Sequence, residues 1–345
     1  MGSIPHRPTP RRILLTVLGA AALVPLAAGT ALADPAPTAP RDPGPTAPLD
    51  PGPTAPLDPG PTAPVVHPQA TSGAAQQDLL RFWTPQRMRS AVPMDTLTSS
   101  RKATPEQVRR GLPAVIQYSQ PNGGSAWTGG GAITRTAGRV FFTYQGGTHS
   151  CSGDAITSKN KSVVITAGHC VKLSGTWHTD WVFVPGYSNG NAPFGTWAAA
   201  KTLSTPQWTA SEDINYDVGA AVVAPLNGQA LTDVVGGQGI AFNQARGQVM
   251  YAFGYPAAAP YDGTKLIYCS GAVINDFLTS NDQGIGCNQT GGASGGPWFL
   301  NFSESTGTGV QNSVNSFKYN FLPNYMFGPY FGTDAQNLYN TAQSS

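Results

Sequence analysis

One serine is surrounded by glycines in the segment GCNQTGGASGGPWFL, residues 286–300. Glycine loses more conformational freedom on folding than other residues, so five glycines around Ser294 indicate a backbone turn that other residues cannot adopt. Such a turn can aim backbone N–H groups at one point, and Gly292 and Ser294 are spaced to offer two of them. This arrangement stabilises the oxygen that becomes negative during acyl transfer.

A serine hydroxyl attacks a carbonyl only when a base removes its proton and a third group orients that base. Three histidines lie outside the N-terminal region: His149, His169 and His178. We favour His169, because the apolar strand SVVIT precedes it and Cys170 can hold its turn through a disulfide. His149 falls in a polar stretch predicted to be a turn, and His178 has no comparable anchor.

Asp217 is the carboxylate expected to pair with His169. It opens the apolar strand of NYDVGAAVVAPL, where a carboxylate is costly unless a group such as a histidine N–H compensates. The sequence thus predicts a catalytic set of His169, Asp217 and Ser294. Two neighbouring acidic residues are predicted to lie in a solvated loop: Glu212 and Asp213.

Other interpretations of the glycine-rich segment fit the sequence less well. Residues 292–296 match the GxSxG elbow of α/β-hydrolases, but that fold places its histidine after the serine, and no histidine follows His178. A phosphate-binding loop would need a GK[ST] motif, which is absent. No CxxC pair occurs, so the sequence predicts neither a metal site nor a cofactor.

Strand signals dominate the chain from Gly138 onward. Short runs rich in β-branched and aromatic residues are separated by Gly, Pro, Asn or Asp, as in GRVFFTYQ, DWVFVPG and GQVMYAFGYP. No helix-period segment of useful length separates them, which disfavours alternating strands and helices. Residues 138–345 therefore favour an all-β domain with a closed or paired barrel.

Four cysteines allow three disulfide pairings, and the sequence-local one joins Cys151 to Cys170 and Cys269 to Cys287. Each bridge would stabilise the fold by about 3 kcal/mol. Charge is sparse, because residues 138–345 carry eight Lys or Arg against eleven Asp or Glu. This balance argues against nucleic acid as a partner.

Residues 1–33 have the features of an export signal. Arg11 and Arg12 precede an apolar run that ends near Leu26, and a small-residue cleavage site, Ala-Leu-Ala, follows at residues 31–33. The paired arginines leave both the general and the twin-arginine export routes open. The signal predicts a secreted protein without stable membrane insertion, in a compartment where cysteines can pair.

Two further segments precede the strand-rich region. Residues 34–68 contain three proline-rich octapeptide repeats, which favour an extended spacer and make it a candidate for cell-wall association. Residues 69–137 are expected to form a pro-segment or an N-terminal wrap, with a short helix broken at Pro85. The predicted catalytic domain spans residues 138–345.

The order His169, Asp217, Ser294 and the surrounding motifs TAGHC, YDVGAAVV and GGASGGP resemble the chymotrypsin-like (trypsin-like) serine proteases. GRVFF and the late NSF and GPYFG motifs resemble the secreted bacterial and fungal branch that includes glutamyl endopeptidases. The resemblance covers about Val140 to the C-terminus. It implies two antiparallel six-stranded β-barrels with the active site in the cleft between them, preceded by a disordered N-terminal region. It also implies a Cys151–Cys170 bridge beside the catalytic histidine.

By this resemblance Ser294 attacks the scissile carbonyl of a peptide or protein substrate and forms an acyl-enzyme. His169 takes and returns the proton, Asp217 orients His169, and the Gly292 and Ser294 amides stabilise the oxyanion. The enzyme is expected to be monomeric. The alternatives are an esterase on the same barrels and a non-catalytic binding module that has inherited the three residues.

Two residues depart from the trypsin-like pattern. Ala293 stands where trypsin-like zymogens carry an acid that captures a newly freed N-terminal ammonium, so we expect activity without such docking. Asn288 replaces the aspartate that reads Lys or Arg, so tryptic cleavage is not predicted. The pocket strand is predicted at residues 315–319, and Lys318 either attracts an acidic side chain or is solvated at the cleft rim. The predicted pocket residues are Asn288, Ser316, Phe317 and Lys318.

Overall fold

The structure is a computed structural model that describes residues 63–94, 108–109, 111–116 and 130–345. The predicted export signal and most of the proline-rich spacer lie outside these residues. Within the described part, the helices are α1 (Gly73–Phe82), α2 (Pro85–Ser90), α3 (Ile133–Thr136), α4 (Pro206–Ser211), α5 (Leu231–Val235) and α6 (Thr333–Gln343). None of the helices in these residues is long and apolar enough to cross a membrane.

Strands are the main regular structure of the described chain. The strands that belong to the first half of the fold are β1 (Val65–Pro68), β2 (Val92–Pro93), β4 (Ala137–Tyr144), β5 (Gly147–Ile156), β6 (Val163–Thr166), β7 (Lys172–Leu173), β8 (Thr176–Trp177), β9 (Thr179–Pro185), β10 (Trp197–Ser204) and β11 (Gly219–Val223). Those of the second half are β3 (Ala114–Ile116), β12 (Gly239–Phe242), β13 (Val249–Gly254), β14 (Ile267–Ala272), β15 (Ile274–Asn275), β16 (Gln283–Gly286), β17 (Pro297–Ser303), β18 (Thr308–Val314) and β19 (Tyr325–Gly328).

Six of these strands close into the first barrel. The antiparallel order is β10, β11, β6, β5, β4 and β9, and β9 pairs back to β10 through Trp197 and Ala198. Side chains alternate between the two faces of each strand. Val140, Phe142 and Phe183 belong to one buried cluster, whereas Phe141 and Val182 belong to another on the opposite face. Because both faces are buried, the runs VFF, residues 140–142, and WVFV, residues 181–184, are continuously apolar.

The second barrel consists of two sheets. The larger runs β14, β13, β17, β18, β12 and β3, and β12 pairs with β18 in parallel. The smaller runs β15, β16 and β19, and a bridge between Phe317 and Phe327 extends it. The predicted all-β fold of two barrels is therefore confirmed. Only the first barrel is closed by a continuous hydrogen-bonded ladder among the described residues.

Residues 63–94, called the strap below, pack on the outer face of the first barrel. Strand β1 pairs antiparallel with β10. Helix α1 ends at Phe82 and α2 begins at Pro85, as the predicted helix break requires, because proline is favoured in the first turn and Thr84 caps α2. Trp83 is buried and donates from Nε1 to the Asp180 carbonyl at 2.7 Å. The strap thus covers the outer cluster of Phe141 and Val182.

Four local predictions were wrong. His149 lies in β5 and not in a turn. Asp213 is buried and caps a short 3₁₀ turn instead of being solvated. Residues 315–319 follow β18 and are not a strand, because the Asn315 backbone bonds the serine loop instead. The C-terminal helix α6 was missed, although Ala335, Leu338, Tyr339 and Ala342 recur at helical spacing and are buried.

Candidate active site

His169 lies in a rigid turn at the edge of the first barrel. Strand β6 ends at Thr166, and a 3₁₀ helix over Gly168–Cys170 follows at once. The Cys151–Cys170 disulfide fixes this helix to β5, and Trp181 Nε1 donates to the Cys170 carbonyl at 3.0 Å. The imidazole is fully buried. Its position is therefore set by a covalent bond and by the strand ends around it.

Asp217 makes two hydrogen bonds to His169. Its Oδ1 accepts from the His169 backbone N–H at 2.8 Å, and its Oδ2 lies 2.8 Å from His169 Nδ1. A carboxylate can only accept, so Nδ1 carries a proton, and in the neutral ring Nε2 holds the lone pair. Burial raises the pKa of Asp217, but the His169 charge and the hydrogen bonds from His169 and Ser316 leave that pKa below its usual value. The carboxylate thus stays ionised beside the imidazole.

Ser316 makes a direct contact with this pair. Its hydroxyl donates to Asp217 Oδ2 at 2.5 Å, and the side chain is fully buried. Ser316 follows Val314, the last residue of β18, and so reaches the first barrel from the second. The bond adds a second charge-assisted contact to the carboxylate. The sequence placed this residue in the specificity pocket; its bond to Asp217 depends on tertiary contact alone.

His178 supports the backbone of His169. Its Nε2 lies 2.9 Å from the His169 carbonyl, which can only accept, so Nε2 donates. The ring stacks on Phe142 at a centroid distance of 4.3 Å. Burial lowers the pKa of His178 to about 3, and the neutral ring is therefore the form present near neutral pH. Of the three candidate histidines, only His169 contacts Asp217.

The loop that carries Ser294 connects β16 to β17 and is fastened to the first barrel by Ser152. The Ser152 N–H donates to the Ser294 carbonyl at 2.7 Å, and its hydroxyl donates to the Gly292 carbonyl at 2.8 Å. Gly295 has a φ of +78°, and a Cβ there would meet Thr166 Oγ1 at 2.1 Å. Only glycine permits this contact with the strand end that precedes His169.

Asn315 holds the same loop from the second barrel. Its side-chain amide donates to the carbonyls of Ala293 at 2.9 Å and Phe253 at 2.8 Å. Its backbone accepts from the Gly295 N–H at 2.8 Å and donates to the Gly296 carbonyl at 2.9 Å. Ala293, where trypsin-like zymogens carry an acid, is thus held by an amide. Neither Asn315 nor Ser152 stands in a recognisable motif, so the sequence alone does not predict these contacts.

Ser294 Oγ and His169 Nε2 are both fully buried, and within the described residues neither atom has a hydrogen-bond partner. No hydrogen bond therefore joins them in this structure. The chain nevertheless brings the two residues close, because Gly295 packs on Thr166 and on the Ala167 backbone, two residues before His169. A buried hydroxyl and a buried imidazole nitrogen without partners are unusual in a native fold, and both are free to bond a substrate or each other.

The predicted oxyanion donor at Gly292 is already engaged. Its φ of +92° lies in the region that favours glycine, and a Cβ would meet the Tyr255 carbonyl at 3.0 Å. The Gly292 N–H donates to the carbonyl of Met94 at 2.9 Å. Met94 is the last residue of the strap. The Gly292 N–H is therefore occupied by another part of the same chain.

The remaining pocket candidates make contacts of other kinds. Asn288 is exposed and its Oδ1 accepts from the Tyr261 hydroxyl at 2.7 Å. Phe317 is buried and stacks on Phe327. Lys318 donates to the carbonyls of Cys287 and Pro323, and burial lowers its pKa to about 8.

The predicted local disulfides are both present, Cys151 to Cys170 and Cys269 to Cys287. Donor atoms of Cys151, Cys170 and His169 lie within 4.8 Å of one another, a spacing that could suit a metal. The two sulfurs are bonded to each other, however, and are not thiolates. Because His169 Nδ1 also binds Asp217, this cluster does not fit a metal ion.

Comparisons with known proteins agree with this geometry. No family model matches the chain. The crystal structure of the protease Anisep from Arthrobacter nicotinovorans is similar at 47% identity and a TM-score of 0.58, covering 61% of this chain and 96% of that one. A thermostable serine protease, AL20, from an extremophilic microorganism is similar at 44% identity and a TM-score of 0.59, covering 62% of this chain and 99% of that one.

A shorter match concerns the extracellular metalloprotease of Bacillus subtilis (strain 168), which is 36% identical over 74 residues. That match spans 21% of this chain and 23% of the relative, so the chain covers less than a quarter of the relative's length. The two solved proteases are matched over almost their whole length, and their fold agrees with the two β-barrels. The chain belongs to the chymotrypsin-like serine proteases.

Proposed function

We propose that the chain is the precursor of a secreted serine endopeptidase in which Ser294, His169 and Asp217 act together. The observation that carries this is the buried His169–Asp217 pair, whose Nδ1–Oδ2 distance of 2.8 Å leaves Nε2 as the basic nitrogen. The export signal and the two disulfides support a secreted enzyme. The spacer remains a candidate for cell-wall association, and a monomer is sufficient for the site.

In the proposed reaction, Ser294 Oγ forms a bond to the scissile carbonyl carbon while its proton passes to His169 Nε2. The carbonyl oxygen becomes negative and is stabilised by the Gly292 and Ser294 N–H groups. The C–N bond then breaks, the amine leaves with the proton from Nε2, and an ester of Ser294 remains. Water attacks this ester by the same proton transfers, which releases the acid and restores the serine.

Asp217 keeps the imidazole in the useful tautomer and stabilises its protonated form. Ser316 and the His169 backbone N–H hold the carboxylate by two further bonds, so it does not rotate away. The buried setting strengthens these contacts, since the effective dielectric constant is lower than in water. The direct Ser294–His169 hydrogen bond is expected to form when the cleft holds substrate, as such bonds often tighten only then.

The substrates are peptides and proteins. A preference for Asp or Glu before the cleaved bond would depend on Lys318. Its ammonium is fixed by two backbone carbonyls and its pKa is lowered by burial. This supports a structural lysine at the cleft rim more than an acid-reading pocket. A peptide-library digest that shows strong preference for Asp or Glu before the cut would assign Lys318 to the pocket instead.

The test is covalent labelling of the secreted protein with a fluorophosphonate, combined with peptide and ester turnover. We expect wild type to be labelled and to cleave peptides, Ser294→Ala to do neither, and Asp217→Asn to lose about 10⁴-fold in kcat. Ser313→Ala is the matched control, because Ser313 is equally buried but bonds the Pro329 carbonyl. Labelling that persists in Ser294→Ala would refute the nucleophile, and ester turnover without peptide cleavage would identify an esterase.

A further inference from the structure

The end of the strap lies against the serine loop. Strand β2 pairs in parallel with β5, so that Val92 lies opposite His149 and Pro93 opposite Ser150. The next residue, Met94, donates its N–H to the Ser150 carbonyl at 2.8 Å and accepts from the Gly292 N–H at 2.9 Å. Met94 thus bridges the first barrel and the loop that carries the nucleophile.

The bond from Gly292 uses the donor that the proposed mechanism needs. A backbone N–H has one hydrogen, so it cannot stabilise a substrate oxyanion while it donates to the Met94 carbonyl. Met94 is also 6% exposed and belongs to the main buried cluster. Its side chain is packed rather than solvated, which is unexpected for a segment that merely passes over a surface.

The strap is anchored to the first barrel by an apolar interface. Leu79, Trp83 and Met88 are buried against Phe141 and Val182 on the outer face of this barrel. Strand β1 adds a four-residue ladder with β10. The anchor restricts where Met94 can go, which raises the effective concentration of its carbonyl at Gly292.

We infer that the strap is a built-in inhibitor, bound to the catalytic domain through its apolar face, and that the Met94 carbonyl occupies the oxyanion site until the strap is displaced. This inference rests on the proposed function, because the donor at Gly292 matters only if Ser294 is the nucleophile. The Met94 carbonyl then competes with a substrate carbonyl for the Gly292 N–H.

The experiment measures the rate of fluorophosphonate labelling on a gel that separates two forms of the protein. One is the full-length chain, and the other is a shorter form from which limited digestion has removed the strap. The full-length wild-type band should label about tenfold or more slowly than the shorter band, because only the fraction with an open cleft reacts. In Met94→Pro the N–H that binds Ser150 is lost while an extended backbone is kept. Its full-length band should label about as fast as the shorter one.

Gln86→Ala is the matched control, since Gln86 is exposed on the same strap; its full-length band should stay as slow as wild type. Trp83→Ala, which weakens only the anchor, replaces Met94→Pro if that variant does not fold. Equal labelling of both wild-type bands would overturn the inhibitor, and a slow full-length band in both strap variants would overturn the role of Met94. No labelling of any band, the shorter one included, would instead refute the proposed function.

Discussion

The two barrels contribute to the site in different ways. The first barrel holds His169 and Asp217 by direct side-chain hydrogen bonds, a disulfide and a closed hydrogen-bonded ladder. The loop that carries Ser294 is held by neutral hydrogen bonds from both barrels, from Ser152 in β5 and from Asn315 next to β18. The base is thus preorganised by a covalent and a charged contact, and the nucleophile loop by neutral hydrogen bonds around glycines.

This difference separates two requirements of the proposed chemistry. The base must keep one tautomer and one orientation, which strong contacts to an ionised carboxylate provide. The nucleophile loop must aim N–H groups at a point in space, which requires backbone bonds to neighbouring strands. Damage to the contacts of His169 should therefore affect the base, and damage to the contacts of residues 291–296 should affect the oxyanion donors.

The largest effect is expected from removing the two disulfides one at a time. Their loops span 19 and 18 residues, so loss of either should lower the free energy of unfolding by a similar amount, about 3 kcal/mol. Activity should respond unequally. The Cys151→Ala/Cys170→Ala variant loosens the turn of His169, whereas Cys269→Ala/Cys287→Ala leaves that turn intact.

Urea unfolding and kcat of both double variants test this, at a temperature where each is folded. We expect kcat to fall clearly in the first variant only. Equal kcat in the two variants at equal stability would show that the disulfide does not position His169.

A second effect concerns Asn315, with Asn312 as its matched control. Both are buried in or next to β18, but the Asn312 amide donates to the Ala241 carbonyl, away from the serine loop. Asn315→Ala frees the Ala293 carbonyl and should misplace the Gly292 donor. We expect a loss of about 10²-fold in kcat, the value typical of a lost oxyanion donor.

Asn312→Ala should reduce stability by about 1–3 kcal/mol, because it leaves a buried carbonyl unpaired, with kcat nearly unchanged. Urea unfolding and peptide-cleavage kinetics distinguish the two effects. If both variants lose stability and neither loses kcat, Asn315 is a structural residue only.

The same contrast explains how far the sequence could be interpreted. His169, Asp217, the strand segments from Gly138 and the local disulfides were predictable, because each depends on neighbouring residues or on spacing. The roles of Asn315, Ser152 and Met94 were not predictable. Their contacts with the serine loop join residues far apart in sequence and largely involve backbone carbonyls. A carbonyl is present at every residue, so no residue type marks its use. The helix α6 could have been found, since its four buried apolar residues recur at helical spacing.

The smallest effect compares one buried carboxyl in each barrel, Asp154 and Asp282. Burial raises the pKa of both well above the usual value, and at Asp282 the charges of Asp217 and Asp276 raise it further. A raised pKa in the folded state means that the fold binds a proton that the unfolded chain releases. Stability is therefore lost as pH rises from the ordinary carboxyl pKa toward the folded one.

Asparagine does not titrate, so Asp154→Asn and Asp282→Asn should both be more stable than wild type at pH 7, by about 1–3 kcal/mol. This gain should vanish near pH 3, where the carboxyl is protonated in both the folded and the unfolded state.

The two carboxyls differ in their coupling to Asp217. Removing the Asp217 charge with Asp217→Asn should reduce the gain from Asp282→Asn but not that from Asp154→Asn, since Asp217 raises the pKa of Asp282 only. Urea unfolding at both pH values, on the single and double variants, measures this; additive effects at both sites would show that the Asp217 charge does not reach Asp282.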